Sequence, residues 1–200
     1  MPFPKITILI RHKEGREKQL QFCIMSVLRQ RYPYLEVIIS KEAADVDYDI
    51  SDEFGVQMKI RTIQVIRKSE SLYFYNLFCN ELMHSVTDGW FFFLDDDDFL
   101  MEGALIDMAK HLSNQQEAVI CQFLRGGKKK PSNQMINNKE IVCGQIGMPC
   151  IFLHSINKNI AKFDDTSYAD YSFIKQVSEL VPTKFVAVPV VMSIKRAHGK

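Results

Sequence analysis

The chain has 200 residues, of which 46% are hydrophobic, and a chain of this size can bury the core of one globular domain. Its 25 basic and 24 acidic side chains nearly cancel, so no strong field favours nucleic acid or an anionic membrane surface. No apolar run approaches the length that spans a bilayer. We therefore expect one domain over residues 1–200, without a transmembrane segment and without a nucleic-acid partner.

The cysteines and the start of the chain predict where the protein resides. The five cysteines form no Cys-x-x-Cys pair and have apolar neighbours, so we interpret them as reduced core residues of a cytosolic protein. The first residues lack the apolar region of a signal peptide. These features predict a cytoplasmic location and leave peripheral contact with a membrane open. The cysteines are Cys23, Cys79, Cys121, Cys143 and Cys150.

The first part of the chain predicts a strand, helix, strand unit. Residues 6–10 are apolar and predict a short strand, and residues 20–28 carry apolar side chains at helical spacing. This helix should stop near Pro33, and residues 35–40 predict a second strand. Because a helical crossover joins parallel strands, we expect a parallel sheet.

The next part predicts a polar loop, a strand and a helix. Residues 41–55 are rich in acidic side chains and predict a solvated loop. Apolar side chains between Val56 and Val65 predict a third strand region with an irregularity. An apolar face at helical spacing runs from about residue 72 to residue 86, and Asp88-Gly89 ends that helix.

An aromatic stretch followed by acidic residues is the strongest functional signal. Residues 90–94 are bulky and apolar without a polar interruption, which predicts a strand buried on both faces. Four aspartates, residues 95–98, follow directly. Like charges this close favour a cation nearby, and ligands of open α/β sheets bind at the carboxyl ends of the strands. The sequence therefore predicts a site for a hard metal and an anionic ligand at this edge.

Two other interpretations of these aspartates explain less. A helix predicted from Phe99 or Leu100 to about Leu112 would favour an aspartate as its N-cap, but a cap uses one side chain and leaves three carboxylates. A calcium loop of the EF-hand type needs glycine at its sixth position and glutamate at its twelfth. Counting from Asp95, the chain has Leu100 and Ile106 there.

The remaining chain predicts three strands and a helix. Apolar runs at residues 118–124 and 148–153 predict strands, and residues 168–180 predict a helix. Residues 185–192 predict a last strand, in which Pro189 indicates an edge or irregular position because proline cannot donate to a ladder.

Residues 126–133 predict the mobile stretch of the chain. They combine two glycines with three consecutive lysines, Lys128 to Lys130. A solvated loop explains this pattern, and part of a lid near an anionic ligand is the alternative.

Three segments together resemble one family. Residues 26–39 are similar to the first helix and second strand of nucleotide-sugar-dependent glycosyltransferases of the GT-A fold, specifically the inverting family-two group. Residues 76–98 resemble the approach to that family's metal-binding Asp-x-Asp motif. Residues 147–171 resemble the acceptor-side region that ends in the catalytic carboxylate. The order and spacing of all three segments make the resemblance specific.

The resemblance implies a fold and an activity. The fold is an α/β GT-A domain, Rossmann-like, with a mostly parallel central sheet flanked by helices. The nucleotide-sugar-binding half covers about residues 1–100, and the acceptor-binding half covers about residues 101–200. The activity is metal-dependent, inverting transfer of a sugar from a nucleotide-diphospho-sugar to a hydroxyl of a glycan, glycoprotein or lipid-linked acceptor. The implied cofactor is Mn²⁺ or Mg²⁺, which suits carboxylate and phosphate oxygens.

The resemblance also implies roles for the acidic residues. Asp97 is the metal ligand, and a histidine near the end of the chain, His198, resembles one that relatives bring to the metal or the diphosphate. Asp95 contacts the ribose of the nucleotide, with Asp96 and Asp98 in support. Asp170 is the base that takes the proton of the attacking hydroxyl. The fallback bases are Asp164 and Asp165.

Four further residues complete the predicted donor site. Arg11 and His12 stand where the family usually has a Pro-x-Tyr-Asn type sequence that cradles the base. Glu42 replaces the usual carboxylate that accepts a ring N–H, and Asn76 belongs to the approach to the acidic motif. The family usually has glutamate where this chain has Ala169.

Two other functions are alternatives to this activity. A non-catalytic nucleotide-sugar-binding module, or one domain of a longer glycosyltransferase, would bind the nucleotide without completing the reaction alone. A sugar-phosphate nucleotidyltransferase should have a glycine-rich phosphate loop after its first strand, but only Gly15 occurs there.

Overall fold

The computed structural model describes residues 3–42, 59–67 and 70–193, which form nine strands and five α-helices. The elements follow the predicted order closely. The predicted acidic loop lies mostly outside the described residues, as do Val56 and Met58. The strands are β1 (Ile6–Arg11), β2 (Leu35–Lys41), β3 (Lys59–Gln64), β4 (Trp90–Asp95), β5 (Phe99–Leu100), β6 (Ala118–Arg125), β7 (Lys128–Lys130), β8 (Ile151–His154) and β9 (Thr183–Ser193). The α-helices are α1 (Glu17–Leu28), α2 (Tyr75–His84), α3 (Ala104–Ala109), α4 (Asn133–Asn138) and α5 (Ala169–Leu180).

The strands form one mixed sheet in the order β3-β2-β1-β4-β8-β6-β9-β5, with β7 paired to β6. The pairs among β1, β2, β3 and β4 are parallel, as is the β6–β9 pair. The pairs that involve β5, β7 and β8 are antiparallel. The predicted α/β class is therefore confirmed, and the parallel ladder that the crossover pattern predicted occupies the half of the sheet around β1.

The strand order reverses beside β1. The chain proceeds outward from β1 through β2 to β3 and then returns to place β4 on the other side of β1. Helices that follow two such neighbouring strands leave the sheet in opposite directions and open a crevice at the carboxyl ends. Arg11 ends β1 in register with Asp95, which ends β4, so these two residues mark the crevice.

The aromatic strand β4 is the centre of the core. Phe91, Phe92 and Phe93 are fully buried, as the uninterrupted apolar run predicted. Phe92 stacks on Phe152 of the antiparallel neighbour β8 with ring centroids 4.5 Å apart. Phe93 points to the opposite face, where its ring meets the edge of Phe163 at 5.2 Å. This packing fixes the position at which the acidic residues leave the sheet.

The helices are amphipathic and cover the sheet. Helix α1 buries five apolar side chains. Helix α5 places the Phe173 ring on the Phe163 ring, and the two rings stack with centroids 4.0 Å apart. Gln30, just after α1, bonds to the backbone of Met101 and Leu105 and so ties α1 to α3. Within the described ranges no helix combines the length and apolar character needed to cross a membrane.

The helix predicted directly after the aspartates is wrong at its start. Phe99 and Leu100 instead form β5, which pairs with β9, and α3 begins only at Ala104. Gly103 precedes α3 in the left-handed conformation, so no aspartate caps this helix. The backbone N–H of Met101 donates to Val190 at 2.8 Å, a long-range bond that a local helix signal cannot anticipate.

The lysine-rich stretch is also more ordered than predicted. Lys128 to Lys130 pair with the end of β6 as strand β7 of a short hairpin, rather than forming a loop or lid. The predicted irregularity at Pro189 is confirmed, because the register between β6 and β9 shifts on both sides of the Gln122 and Pro189 pair.

The cysteine prediction holds for four of the five residues. All five are free thiols, and Cys23, Cys79, Cys121 and Cys150 are buried. Cys143 is exposed, which corrects its assignment to the core, because the segment between α4 and β8 lies on the surface there.

The turn that leads into β4 depends on Gly89. Its φ is +77°, and a Cβ there would lie 2.7 Å from the carbonyl oxygen of Lys5 and 2.9 Å from the Lys5 Cβ. That carbonyl accepts a hydrogen bond from the Trp90 N–H at 2.9 Å, which starts the alignment of β4 beside β1. Glycine is thus required both for the backbone angle and for the close approach.

We expect Gly89→Ala to lower the free energy of unfolding by about 3–4 kcal/mol, because left-handed strain and a backbone clash combine. Gly103→Ala is the matched control, since Gly103 has φ +70° but no atom within 4 Å of its Cβ position. In the control, the free energy of unfolding should fall only by the left-handed strain, which is about 1–2 kcal/mol. Urea denaturation measures both; equal losses would show that the contact with Lys5 does not matter.

Candidate active site

A polar cavity of about 340 Å³ opens at the carboxyl ends of β1 and β4. Its volume falls within the range of small-molecule sites. Acidic and basic side chains face each other across it, so it suits a ligand that carries both charge and hydrogen-bonding groups. The lining residues are Arg11, Lys13, Arg16, Leu72, Tyr73, Tyr75, Asn76, Asp95, Asp96, Asp97, Asp98, Arg125 and Ser193.

Arg11 and Asp95 form an ion pair at the floor of the cavity. The Arg11 Nε donates to Asp95 Oδ1 at 2.7 Å, and the same guanidinium donates from Nη1 to Asn76 Oδ1. Asn76 in turn donates from Nδ2 to the Thr166 carbonyl at 2.9 Å. Burial opposes the charged form of Arg11, but the attraction of Asp95, joined by that of neighbouring acidic groups such as Asp170 and by the hydrogen bond to Asp95, outweighs burial and raises the pKa of Arg11. The guanidinium therefore stays charged, and together with Asn76 it joins β1, β4, α2 and the loop before α5.

Asp96 is an internal anchor for the loop between β1 and α1. It is 1% exposed, and its Oδ2 lies 3.0 Å from His12 Nδ1 and accepts the Lys13 N–H at 2.8 Å. Its Oδ1 accepts from Arg16 Nη1 at 3.0 Å. Burial favours the protonated acid, but these hydrogen bonds and the Arg16 charge outweigh burial and lower the pKa of Asp96. Asp96 thus orders the loop that forms one wall of the cavity.

Asp97 is the more accessible of these two carboxylates. Its side chain is 17% exposed, and its Oδ2 lies 3.3 Å from Arg16 Nη1. Within the described ranges, no group of three or more His, Cys, Asp or Glu side chains is arranged to hold a metal ion. Carboxylate oxygens are ligands that Mg²⁺ and Mn²⁺ prefer, so Asp97 fits a cation that takes its other ligands from a bound molecule or water.

Asp170, at the start of α5, lies close to the Arg11 and Asp95 pair. Its Oδ2 accepts the Met148 N–H at 3.2 Å. Burial raises the pKa of Asp170 above its ordinary value, and the charge of Asp95 adds to this rise, while Arg11 and the Met148 N–H oppose it. A carboxylate with a raised pKa accepts a proton more readily, as a general base must.

Aromatic and polar side chains form a second wall beside Lys13. The Tyr75 hydroxyl donates to Glu42 Oε2 at 3.2 Å, and the Tyr75 ring packs on Phe74 with centroids 3.9 Å apart. Lys13 Nζ lies 5.4 Å from the centroid of the Tyr75 ring. Tyr75 and Lys13 thus present a ring and an ammonium group to the cavity, while the Glu42 carboxylate, just after β2, contacts Tyr75 from outside the lining.

The family of the chain follows from a match over most of its length. The sequence matches the family described as Glycosyl transferase family 2 over residues 7–174. The chain belongs to this family. The match includes Arg11, the four aspartates and Asp170, and it contains every cavity-lining residue except Ser193. No curated protein sequence gives a significant match.

Solved glycosyltransferase structures have the same fold as this family-two domain. S. aureus TarS 1-349 in complex with UDP-GlcNAc has a TM-score of 0.70 and 14% identity, over 98% of this chain and 60% of that chain. The mannosyltransferase PcManGT from Pyrobaculum calidifontis, in complex with GDP-Man and Mn²⁺, has a TM-score of 0.67 and 14% identity, over 100% of this chain and 59% of that chain. The chain thus spans about 60% of the length of these proteins. The predicted GT-A fold is confirmed.

The structure brings most of the predicted site residues of this family-two domain together. Arg11, Asn76, Asp95, Asp96 and Asp97 line the cavity.

The other predicted residues lie behind or beyond that lining. His12 lies behind Asp96, Glu42 contacts Tyr75, and Asp170 interacts with Arg11 and Asp95, so each supports a lining residue. Their direct contact with a ligand stays a prediction. His198 lies outside the described residues.

The sequence prediction did not include Lys13, Arg16, Tyr75 or Arg125, which also line the cavity. A signal for the first two exists, because Arg11, Lys13 and Arg16 make a basic cluster directly after the first strand. In a parallel sheet this cluster must emerge at the edge where the aspartates emerge. Arg125 ends β6 and reaches the cavity only through the folding of the second half of the sheet, so no local pattern marks it.

We expect Asp96→Asn to lower the free energy of unfolding at pH 7 by about 3 kcal/mol, because a buried, paired charge is lost. Since the folded pKa of Asp96 is lowered, its contribution is complete above the unfolded value of about 3.9 and is lost as the pH falls through the folded pKa. The difference between wild type and variant should therefore shrink below about pH 4. Urea denaturation between about pH 2 and about pH 8, limits that lie on either side of the unfolded value of about 3.9, measures this difference. A constant difference would contradict the role of the charge.

Proposed function

We propose that this domain is a metal-dependent, inverting glycosyltransferase that moves a sugar from a nucleotide-diphospho-sugar to an acceptor hydroxyl. The observation that carries the proposal is the cavity at the carboxyl ends of β1 and β4, where Asp95 and Asp97 face basic residues inside a family-two domain. A nucleotide-diphospho-sugar has both anionic phosphates and neutral hydroxyls, which matches these mixed walls. The TarS and PcManGT structures, solved with UDP-GlcNAc and with GDP-Man and Mn²⁺, support this class of donor.

The proposed donor site uses the first half of the chain. Eleven of the thirteen cavity residues come from positions 11–98, which supports a donor-binding half at about residues 1–100 and an acceptor-binding half at about residues 101–200. Arg11 holds the Asp95 carboxylate in place to accept hydrogen bonds from the ribose. Asn76 fixes Arg11 from the other side. Glu42 is the proposed acceptor for a ring N–H of the base, with Tyr75 orienting it.

The proposed cation is Mn²⁺ or Mg²⁺, and Asp97 is the residue that would hold it. A divalent cation bound there would neutralise the charge that develops on the departing diphosphate. Phosphate oxygens of the donor would complete its ligand set, in keeping with the lack of a three-residue protein cage among the described residues. His198 stays a proposed further ligand.

Asp170 is the proposed base. The acceptor hydroxyl oxygen forms a bond to the anomeric carbon from the face opposite the diphosphate, and the bond from that carbon to the diphosphate oxygen breaks. The hydroxyl proton passes to the Asp170 carboxylate. The raised pKa of Asp170 supports this step, and Met148 N–H holds the carboxyl group in place. The proposed acceptor is a glycan, glycoprotein or lipid-linked sugar.

A second candidate is a donor-binding domain that needs further chain segments for transfer. It is favoured by one observation, that the chain spans about 60% of the length of the TarS and PcManGT chains it aligns with. This domain would bind nucleotide and cation without releasing nucleoside diphosphate from any donor, so turnover of a panel of nucleotide-sugars with Mn²⁺ separates the two candidates.

We expect Asp97→Ala to reduce metal-dependent release of nucleoside diphosphate by about 10³-fold, because an electrostatic contact to the transition state is lost. The fold should stay intact, since Asp97 is partly exposed. Asp107→Ala is the matched control, because Asp107 is an exposed carboxylate paired with Lys110 on α3. Release of UDP or GDP from nucleotide-sugars with Mn²⁺ measures turnover. Wild-type rates in the Asp97 variant would remove the proposed mechanism.

We expect Asp170→Asn to retain donor binding but to lose transfer by about 10³-fold, because general bases contribute about 10²–10⁴-fold. In the wild type, transfer should decline as the pH falls through the pKa of Asp170, which lies above its ordinary value of 3.8. Initial rates from about pH 4 to about pH 9, a range that starts near the ordinary pKa of a carboxyl group, measure this limb. Asp164→Asn and Asp165→Asn are the controls; transfer that survives in Asp170→Asn but fails in a control would place the base there.

A further inference from the structure

Arg16 bridges the two carboxylates that differ most in their surroundings. Its Nη1 lies 3.0 Å from Oδ1 of the buried Asp96 and 3.3 Å from Oδ2 of the accessible Asp97. The side chain of Arg16 is 30% exposed and lines the cavity. The attraction to these aspartates outweighs partial burial and raises the pKa of Arg16, so the guanidinium is a permanent cation beside Asp97.

Asp96 holds the Arg16 guanidinium in position. Its Oδ2 is engaged by His12 and by the Lys13 N–H, which leaves Oδ1 directed at Arg16. The backbone of Arg16 is itself fixed, because it is the N-cap residue of α1 and its carbonyl accepts from the Leu20 N–H at 2.9 Å. The guanidinium can therefore leave Asp97 while its contact with Asp96 keeps it at the cavity wall.

A guanidinium at Asp97 competes with any divalent cation there. Both are attracted to the same carboxylate, and they repel each other at a separation of a few ångströms. Phosphate oxygens are alternative partners for the guanidinium, because its planar donors match them well. A diphosphate that enters with the cation would relieve the competition by accepting hydrogen bonds from Arg16.

We propose that Arg16 is a positioning residue that neutralises Asp97 in the empty enzyme and transfers to the diphosphate when cation and donor bind. The inference rests on the proposed function, since it takes Asp97 as the residue that holds the cation. Its consequence is an order of binding: the cation binds weakly alone and tightly with the diphosphate. Arg16 also protects the acidic cluster from charge repulsion until the donor arrives.

The test measures Mn²⁺ binding to nucleotide-free protein by electron paramagnetic resonance. Arg16→Gln should bind Mn²⁺ alone about tenfold more tightly than wild type, because one adjacent positive charge and one competing hydrogen bond are lost. Arg125→Gln is the matched control, since it removes the same charge from the same cavity. This control should change Mn²⁺ affinity by less than about threefold, because charge effects in a solvated cavity are screened with distance.

The second readout is the affinity for inorganic pyrophosphate in the presence of Mn²⁺, measured by isothermal titration calorimetry. Arg16→Gln should lower this affinity by about tenfold, since a charge-assisted hydrogen bond to phosphate is lost. The two readouts thus change in opposite directions. A residue that only braces Asp96 would leave Mn²⁺ binding unchanged or weaken it.

A conservative variant keeps the test decisive if Arg16→Gln does not fold. Arg16→Lys keeps the charge, but its shorter side chain does not reach the position of the Arg16 Nη1 that contacts both carboxylates, so Mn²⁺ alone should bind about threefold more tightly than to wild type. The inference is overturned if neither folded variant binds Mn²⁺ more tightly, or if Arg125→Gln has the same effect as Arg16→Gln. If wild-type protein binds no Mn²⁺ even with UDP or GDP, the proposed metal-dependent function fails as well.

Discussion

Charge balance at the end of β4 is the constraint on which the site depends. Four consecutive carboxylates at the carboxyl end of a buried strand repel one another, and basic residues from the end of β1 and from the start of α1 offset this repulsion. Arg11 pairs with Asp95, while Arg16 pairs with Asp96 and Asp97. Because β1 and β4 are parallel neighbours in register, the cations and the carboxylates arise from the same edge without any long connection. The sheet topology therefore determines which charged side chains meet in the site.

The core explains why this arrangement is rigid. The Phe92 and Phe93 rings are fixed on opposite faces of β4 by Phe152 and Phe163, and a close-packed aromatic core permits little movement of the strand. The loop before α5 is tied to the same region, since Asn80 bonds to the backbone of Phe163 and Asn76 bonds to Thr166. Side chains that start from β4 and from α5 thus approach the cavity from a common support, which a site for group transfer requires.

The sequence was sufficient for the parts of the fold that depend on local patterns. Apolar runs and helical spacing located β1, α1, β2 and β4, and the acidic residues after β4 located the site. The failures share a physical cause. Residues after Asp98 have a helical pattern, but their backbone bonds with β9, almost a hundred residues away in the chain. Lys128 to Lys130 look like a solvated loop, but β6 offers them an edge to pair with. Arg16 belongs to a basic cluster that the sequence shows, but its contacts with Asp96 and Asp97, which are distant in sequence, arise only from the pairing of β1 with β4.

The acidic residues of the site show how one side-chain type acquires different chemistry. Asp96 receives hydrogen bonds from His12, Lys13 and Arg16, and these lower its pKa in spite of burial. Asp170 receives one backbone hydrogen bond, and burial together with the charge of Asp95 raises its pKa. A carboxylate that stays ionised suits a fixed anchor, whereas a carboxylate with greater proton affinity suits proton transfer. Arg11 connects the two regions, because it pairs with Asp95 and also opposes the rise in the pKa of Asp170. A ligand that changes the charge near Asp95 would therefore change the proton affinity of Asp170, so the proposed donor binding and the proposed base would be coupled through the Arg11 guanidinium.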